Sequence, residues 1–256
     1  METISVIVEL DMQLKSELNE NGFIILRNFF DKDRIENVRT KAESIFKIQF
    51  DKFGYNGTYK ENMIQLFNEK NDVFINCGKI IQTGLIELYK LAFDDLLLEQ
   101  IKSLGLEFPN VCTRPVLFFN HPKLAKEEVY YKTPPHQDWS SMLSSSDSLV
   151  VWVPLVDVNK ENGTLLIWPK THKLGALEYE SVGGFASVNT DDNFIQEDFE
   201  VGDIVIFSTL LIHASGDILN DSIRWSCHFR YTNMLDSDFI DRGFPNPYIY
   251  KPITKQ

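Results

Sequence analysis

Ser148-Leu149-Val150-Val151-Trp152-Val153-Pro154-Leu155-Val156 is a near-continuous apolar run, the pattern expected of a strand buried on both faces. Its neighbours repeat the theme. Val111 to Asn120 reads as an earlier strand, Asn162-Gly163 is a hairpin signal leading into Thr164-Leu165-Leu166-Ile167-Trp168, and Val201-Gly202-Asp203 is a turn feeding Ile204-Val205-Ile206-Phe207. Trp225 to Tyr231 is the last clear strand. About seven or eight short strands separated by turn signals predict an antiparallel jelly-roll barrel. Upstream of Phe108-Pro109 the pattern is helical. Leu10 to Asn21 reads as an amphipathic helix ended by Gly22, and Phe23 to Phe30 as a short apolar strand. Asp31 then caps a helix running to about Gln49, Asp51 to Lys60 is loop, and Asp72 to Leu104 is helical again. The expected class is therefore mainly β (α+β), with N-terminal helices buttressing a barrel. Residues 1–256 read as one domain: a helical third to about 107, a barrel core over about 108–235, and a C-terminal extension over 236–256.

Bulk properties narrow the function. Lys and Arg number 25 against 37 Asp and Glu, a formal net charge of −12, so a nucleic-acid or anionic-membrane partner, which needs a basic face, is not expected. Cys77, Cys112 and Cys227 are too few and too scattered for a disulfide framework or a cysteine zinc site, which favours a reducing cytoplasm. The acidic N-terminus is unlike a secretory signal, no apolar run reaches the roughly 18 residues of a membrane span, and Thr254-Lys255-Gln256 is not a peroxisomal address. A small-molecule partner is expected.

The chemistry-bearing residues lie at His136-Gln137-Asp138, His213 and Arg224. On strands, side chains two apart share a face, which would put His136 beside Asp138. Two imidazole nitrogens and one carboxylate oxygen occupy one triangular face of an octahedral ion and leave three positions for a chelating co-substrate and dioxygen. The dipeptide spacing alone is weak evidence, since about half of chains of this composition carry a His-x-acid somewhere. Among the 5 histidines, His213 is the preferred second ligand because it follows an apolar strand and lies 77 residues past His136, far enough for intervening strands to return. His121 and His172 sit in loops, and His228 is the competitor. Arg224 adds a guanidinium fork suited to a distal carboxylate, with Ser215 on the same face as His213. Its bland alternative is a surface ion pair with Asp221.

These segments resemble the phytanoyl-CoA dioxygenase (PhyH) family of iron(II)- and 2-oxoglutarate-dependent oxygenases. The resemblance is carried by Pro135-His136-Gln137-Asp138, by Glu161-Asn162-Gly163-Thr164-Leu165 with Pro169-Lys170-Thr171-His172-Lys173, by Gly202-Asp203, and by His213-x-Ser215 with Asn220-x-Ser222-x-Arg224. Asn21-Gly22-Phe23-Ile24-Ile25-Leu26 is similar to the family's opening. The resemblance implies a double-stranded β-helix (jelly-roll or cupin-like) and iron held by His136, Asp138 and His213. It also implies 2-oxoglutarate gripped by Arg224 and Ser215, with Thr164 and Gln137 as further pocket residues. Dioxygen would be the second co-substrate, succinate and carbon dioxide the co-products, and hydroxylation of an aliphatic C–H the main outcome. Relatives that halogenate lack the carboxylate that Asp138 supplies here.

Trp139, Arg114, Phe118 and Tyr130 are the substrate-facing candidates, with Phe244 to Tyr250 as a lid. Three rivals stay open: desaturation, cyclisation or epimerisation by the same oxidising chemistry; a zinc or manganese isomerase or hydrolase on the same barrel; and a non-catalytic binding homologue.

Overall fold

The computed structural model describes residues 2–126, 131–182, 185–190 and 193–245. Helix α1 (Glu2–Asn21) ends at Gly22, whose φ of 86° takes the chain into strand β1 (Phe23–Leu26). Asp31 caps α2 (Lys32–Phe53) by accepting from the Asp33 N–H. The stretch expected as loop to Lys60 is shorter than read, because α3 (Tyr59–Glu69) opens on a capping box in which Thr58 and Glu61 bond each other's backbone N–H. The helical stretch expected to run unbroken to Leu104 is three helices: α4 (Asn71–Gly84), α5 (Ile86–Ala92) and α6 (Asp95–Ser103). Leu85, with extended backbone at ψ 105°, makes the first break, and Asp94 makes the second by capping the Leu97 N–H.

The remaining elements are β2 (Pro109–Val111), β3 (Val116–Asn120), α7 (Trp139–Met142), β4 (Leu149–Pro154), β5 (Leu165–Ile167), β6 (Glu180–Val182), β7 (Phe185–Ser187), β8 (Ile195–Gln196), β9 (Ile204–Ser208), β10 (His213–Ser215), β11 (Arg224–Asn233) and α8 (Ser237–Asp241). The larger sheet runs β1-β9-β4-β11, with β2 and β3 along the far edge of β11. The smaller sheet is β10-β5-β8. Together they form a double-stranded β-helix.

The β4 run is buried at every position, and its alternation shows why. Leu149, Val151 and Val153 point into a core shared with the helices, along with Ile204 and Ile206 of β9 and Trp225, Cys227, Phe229 and Tyr231 of β11. Val150 and Trp152 point the other way and pack with Val205, Phe207, Leu165 and Ile167 between the sheets. A strand with helices on one face and a second sheet on the other has no polar face to spare.

One turn reading and one strand reading change in the structure. Asn162-Gly163 is a turn, with Gly163 at φ 83°, but it joins no hairpin. Strand β4 pairs β9 and β11 while β5 pairs β10 and β8, so this turn carries the chain from one sheet to the other. The single strand expected over Val111 to Asn120 is interrupted at Thr113-Arg114-Pro115, and its halves β2 and β3 pair successive lengths of β11.

Gly202 does what its turn requires. It sits at φ 103°, its carbonyl accepts from the Phe30 N–H at 3.0 Å, and an added Cβ would lie 2.7 Å from the Phe30 carbonyl oxygen. Gly202→Ala therefore combines left-handed strain with a backbone clash. It should lower the unfolding free energy by about 2 kcal/mol or more in urea titration, and an unchanged midpoint would contradict the packing.

Candidate metal centre

His136 and His213 are joined through their backbones. Each N–H donates to the other's carbonyl, at 3.0 and 3.1 Å, in an isolated antiparallel bridge. Their rings stand 4.2 Å apart. The Nδ1 of His136 lies 2.8 Å from the Pro134 carbonyl and that of His213 lies 3.0 Å from the Leu211 carbonyl. A carbonyl only accepts, so each Nδ1 carries the hydrogen and each Nε2 presents its lone pair. Asp138 arrives differently from the strand alternation expected. It lies beyond the bridge with helical backbone (φ −65°, ψ −29°), where the chain turns into α7. Its Oδ1 lies 3.7 Å from His136 Nε2 and its Oδ2 4.0 Å from His213 Nε2.

These donor atoms lie within 4.8 Å of one another and form a group able to hold a metal ion. His213 Nε2 is buried without a hydrogen-bond partner. An unsatisfied lone pair on a buried ring, opposite a carboxylate and a second imidazole, fits a divalent cation. His213 and Asp138 are also in protonation states suited to a cation. Burial, followed by the neighbouring His136, pushes the His213 pKa down to about 3, so it is neutral. Burial opposes ionisation of Asp138, but the Arg230 guanidinium overrides it and holds the carboxyl well below its usual range.

Arg230 went unrecognised in the sequence. It grips Asp138 with both arms of the guanidinium, Nε to Oδ2 at 3.0 Å and Nη2 to Oδ1 at 3.1 Å. The signal was present: Arg230 falls in the even-numbered register of β11 with Arg224, Ser226 and His228, all on the inward face.

Arg224 is buried, at 4% exposure. It does not pair with Asp221, which instead bonds Lys60 and His121. Its Nη1 donates to the Gly163 carbonyl, and its Nη2 donates to Asn120 Oδ1 at 3.0 Å and Ser215 Oγ at 3.3 Å. Its Nε has no partner. Burial lowers its pKa to about 10, with no neighbouring charge contributing, so the group is a cation at neutral pH without a counter-charge among the described residues.

A cavity of about 300 Å³ is lined by the triad and by Ser215, Arg224, His228 and Arg230. Phe118 and Arg114 also line it. Other candidates have structural tasks. The Gln137 amide donates to the carbonyls of Gly175 and Leu210 and accepts from the Leu177 N–H. Thr164 donates its hydroxyl to the Glu197 carbonyl. Trp139 donates its indole N–H to the Ser144 carbonyl, and its ring lies under the Arg242 guanidinium. Tyr130 lies outside the described residues, as does most of the proposed lid; Phe244 packs on Phe239. His228 stands apart from the metal group, its ring edge-on to Phe118 at 5.1 Å.

This fold, with a His-Asp-His face beside a buried arginine, is that of the iron(II)- and 2-oxoglutarate-dependent oxygenases. The phytanoyl-CoA dioxygenase (PhyH) family model matches residues 18–226, and the chain belongs to that family. It is 23% identical to the peroxisomal phytanoyl-CoA dioxygenase of Rattus norvegicus over 248 residues, covering 86% of this chain and 68% of the relative. It is also 23% identical to the Homo sapiens protein, covering 96% and 75%. Among solved structures, the epimerase SnoN in complex with Fe3+, alpha ketoglutarate and nogalamycin RO superposes with a TM-score of 0.63 at 15% identity, covering 97% of this chain and 94% of that one.

Two outcomes follow for the metal-free protein. Arg230→Met leaves the Asp138 carboxylate buried without its clamp and should cost about 3–5 kcal/mol. Manganese(II) should restore part of that loss, and denaturant midpoints with and without the ion test both parts. His121, His213 and His228 have pKa values lowered from the ordinary 6.5, chiefly by burial. The unfolded chain therefore binds more protons than the folded one below about pH 6.5. Thermal midpoints should fall on going from pH 7.5 to pH 5.5, and a midpoint that rises would contradict the buried neutral imidazoles.

Proposed function

We propose that His136, Asp138 and His213 hold iron(II), that Arg224 and Ser215 receive the distal carboxylate of 2-oxoglutarate, and that the enzyme hydroxylates an aliphatic C–H of a small metabolite. One substrate C–H, one 2-oxoglutarate and one dioxygen would give the C–OH product, succinate and carbon dioxide. Iron(II), when bound, supplies the activation of dioxygen and the oxidation of the C–H bond.

The observation that carries this reading is Arg224. Among the described residues this buried guanidinium has no carboxylate partner, which is costly unless an anion completes it, and Arg224 lines the same cavity as the triad. A zinc or manganese hydrolase on this barrel would give that cation nothing to bind. Asp138, clamped by Arg230, supplies the anionic ligand. The carbonyls of Pro134 and Leu211 fix the two rings, which keeps both Nε2 atoms aimed at one point. Trp152 and Leu165 join the cavity lining to the apolar core between the sheets. The carboxylate ligand favours hydroxylation over halogenation.

A cytoplasmic location fits the three free cysteines. Among the described residues no helix is long and apolar enough to cross a membrane. The net charge of −12 supports a small-molecule partner over nucleic acid.

Anaerobic addition of iron(II) and 2-oxoglutarate should produce the weak visible charge-transfer band of the chelate. His213→Ala should abolish it. Arg224→Met should raise the 2-oxoglutarate concentration at half-formation by roughly tenfold or more while leaving iron binding in place. No band in the native protein, or a full band in His213→Ala, overturns the assignment.

A further inference from the structure

Thr113-Arg114-Pro115 leaves the ladder between β2 and β3, and the chain is pinned on both sides of the gap. The Cys112 N–H donates to the Arg230 carbonyl at 2.9 Å, and Val116 resumes pairing opposite His228. The interruption thus holds Arg114 at a fixed place on the cavity rim, where its side chain is exposed. Among the described residues Arg114 has no hydrogen-bond or ion-pair partner. An exposed arginine by itself means little, so its setting decides the matter.

The other charges of this cavity already have tasks. Asp138 is the only acid among its described lining residues. Iron(II) and Arg230 outweigh Asp138, and Arg224 answers the distal carboxylate of 2-oxoglutarate. The loaded site is therefore net positive before Arg114 is counted. A positive mouth on a chain of net charge −12 focuses its field on small anions. The lining is more apolar than polar, with Val116, Phe118 and Met142 beside the hydroxyls of Thr113, Thr133, Ser140 and Ser141. At about 300 Å³ the cavity is at the small end of ligand sites, roughly 300–1,000 Å³, and 2-oxoglutarate takes part of it.

We propose that the substrate is a small apolar molecule with a single anionic head group, a carboxylate or a phosphate, and that Arg114 receives that head group at the rim while the apolar body lies over Val116 and Phe118 toward the triad. This rests on the iron and 2-oxoglutarate reading above. Arg114 is then a specificity-determining residue, separate from the co-substrate clamp.

The test uses the anaerobic protein loaded with iron(II) and 2-oxoglutarate, titrated with octanoate, octyl phosphate and octanol while the visible band of the chelate is followed. At least one of the two anions should shift the band without removing it, the tighter of them identifying the head group, and octanol should need at least tenfold more. Arg114→Gln should weaken the anion at least tenfold, Arg114→Lys should weaken it less, and neither should change the 2-oxoglutarate requirement. Equal potency of octanol, no shift by either anion, loss of the band through displacement of 2-oxoglutarate, or an unaffected Arg114→Gln variant overturns the proposal while the chelate still forms. Failure of the chelate to form at all overturns the underlying reading and this one with it.

Discussion

Strand β11 presents Trp225, Cys227, Phe229 and Tyr231 to the helices and Arg224, Ser226, His228 and Arg230 to the space between the sheets. Period-two alternation forces this division, because neighbouring side chains on a strand leave opposite faces. The outward set anchors the barrel: Tyr231, for example, donates its hydroxyl to the Ala92 carbonyl at 2.6 Å and ties the sheet to α5. The inward set supplies the charges of the site. A shift of one residue in register against β4 would exchange the two sets, burying arginines among the helices and opening the cavity to indole and phenyl rings. The apolar packing of the helices and the chemistry of the cavity therefore hold each other in place.

The two buried arginines of that strand behave as opposites. Arg230 finds its carboxylate inside the protein, in Asp138, and the pair satisfies itself while leaving the carboxylate ionised. Arg224 finds only neutral acceptors, in Gly163, Asn120 and Ser215. The first holds Asp138 in position, and the second leaves a buried positive charge at the cavity wall. Such a cation persists because neutral oxygens solvate part of the guanidinium and the rest of the structure supports the strand that carries it.

Much of this was legible in the sequence where the physics is local. The double burial of β4, the cap at Asp31 and the turn at Gly202 all follow from side-chain pattern or backbone conformation within a few residues. The places where reading stopped short share a cause. The Asn162-Gly163 turn signals a reversal, but which strands pair across it depends on partners elsewhere. The group of His136, Asp138 and His213 comes together in space as the spacing suggested, yet Asp138 reaches it from a helical turn that a strand-based argument does not foresee. Gln137 and Thr164 are polar neighbours of the site whose hydrogen bonds go to the backbone, which no spacing reveals. Arg230 could have been read from alternation on β11 once Arg224 and His228 were placed on one face; its partner, 92 residues away, could not.

The bridge between His136 and His213 also sets when the metal site can exist. The two residues lie 77 positions apart, so in the unfolded chain only His136 and Asp138 of the three are near one another. Complete ligation waits until the smaller sheet has closed on the segment that follows Pro135. An ion held by this triad would therefore not template the early steps of folding but favour their completion, since an ion that binds the finished barrel far better than the open chain draws the equilibrium toward it.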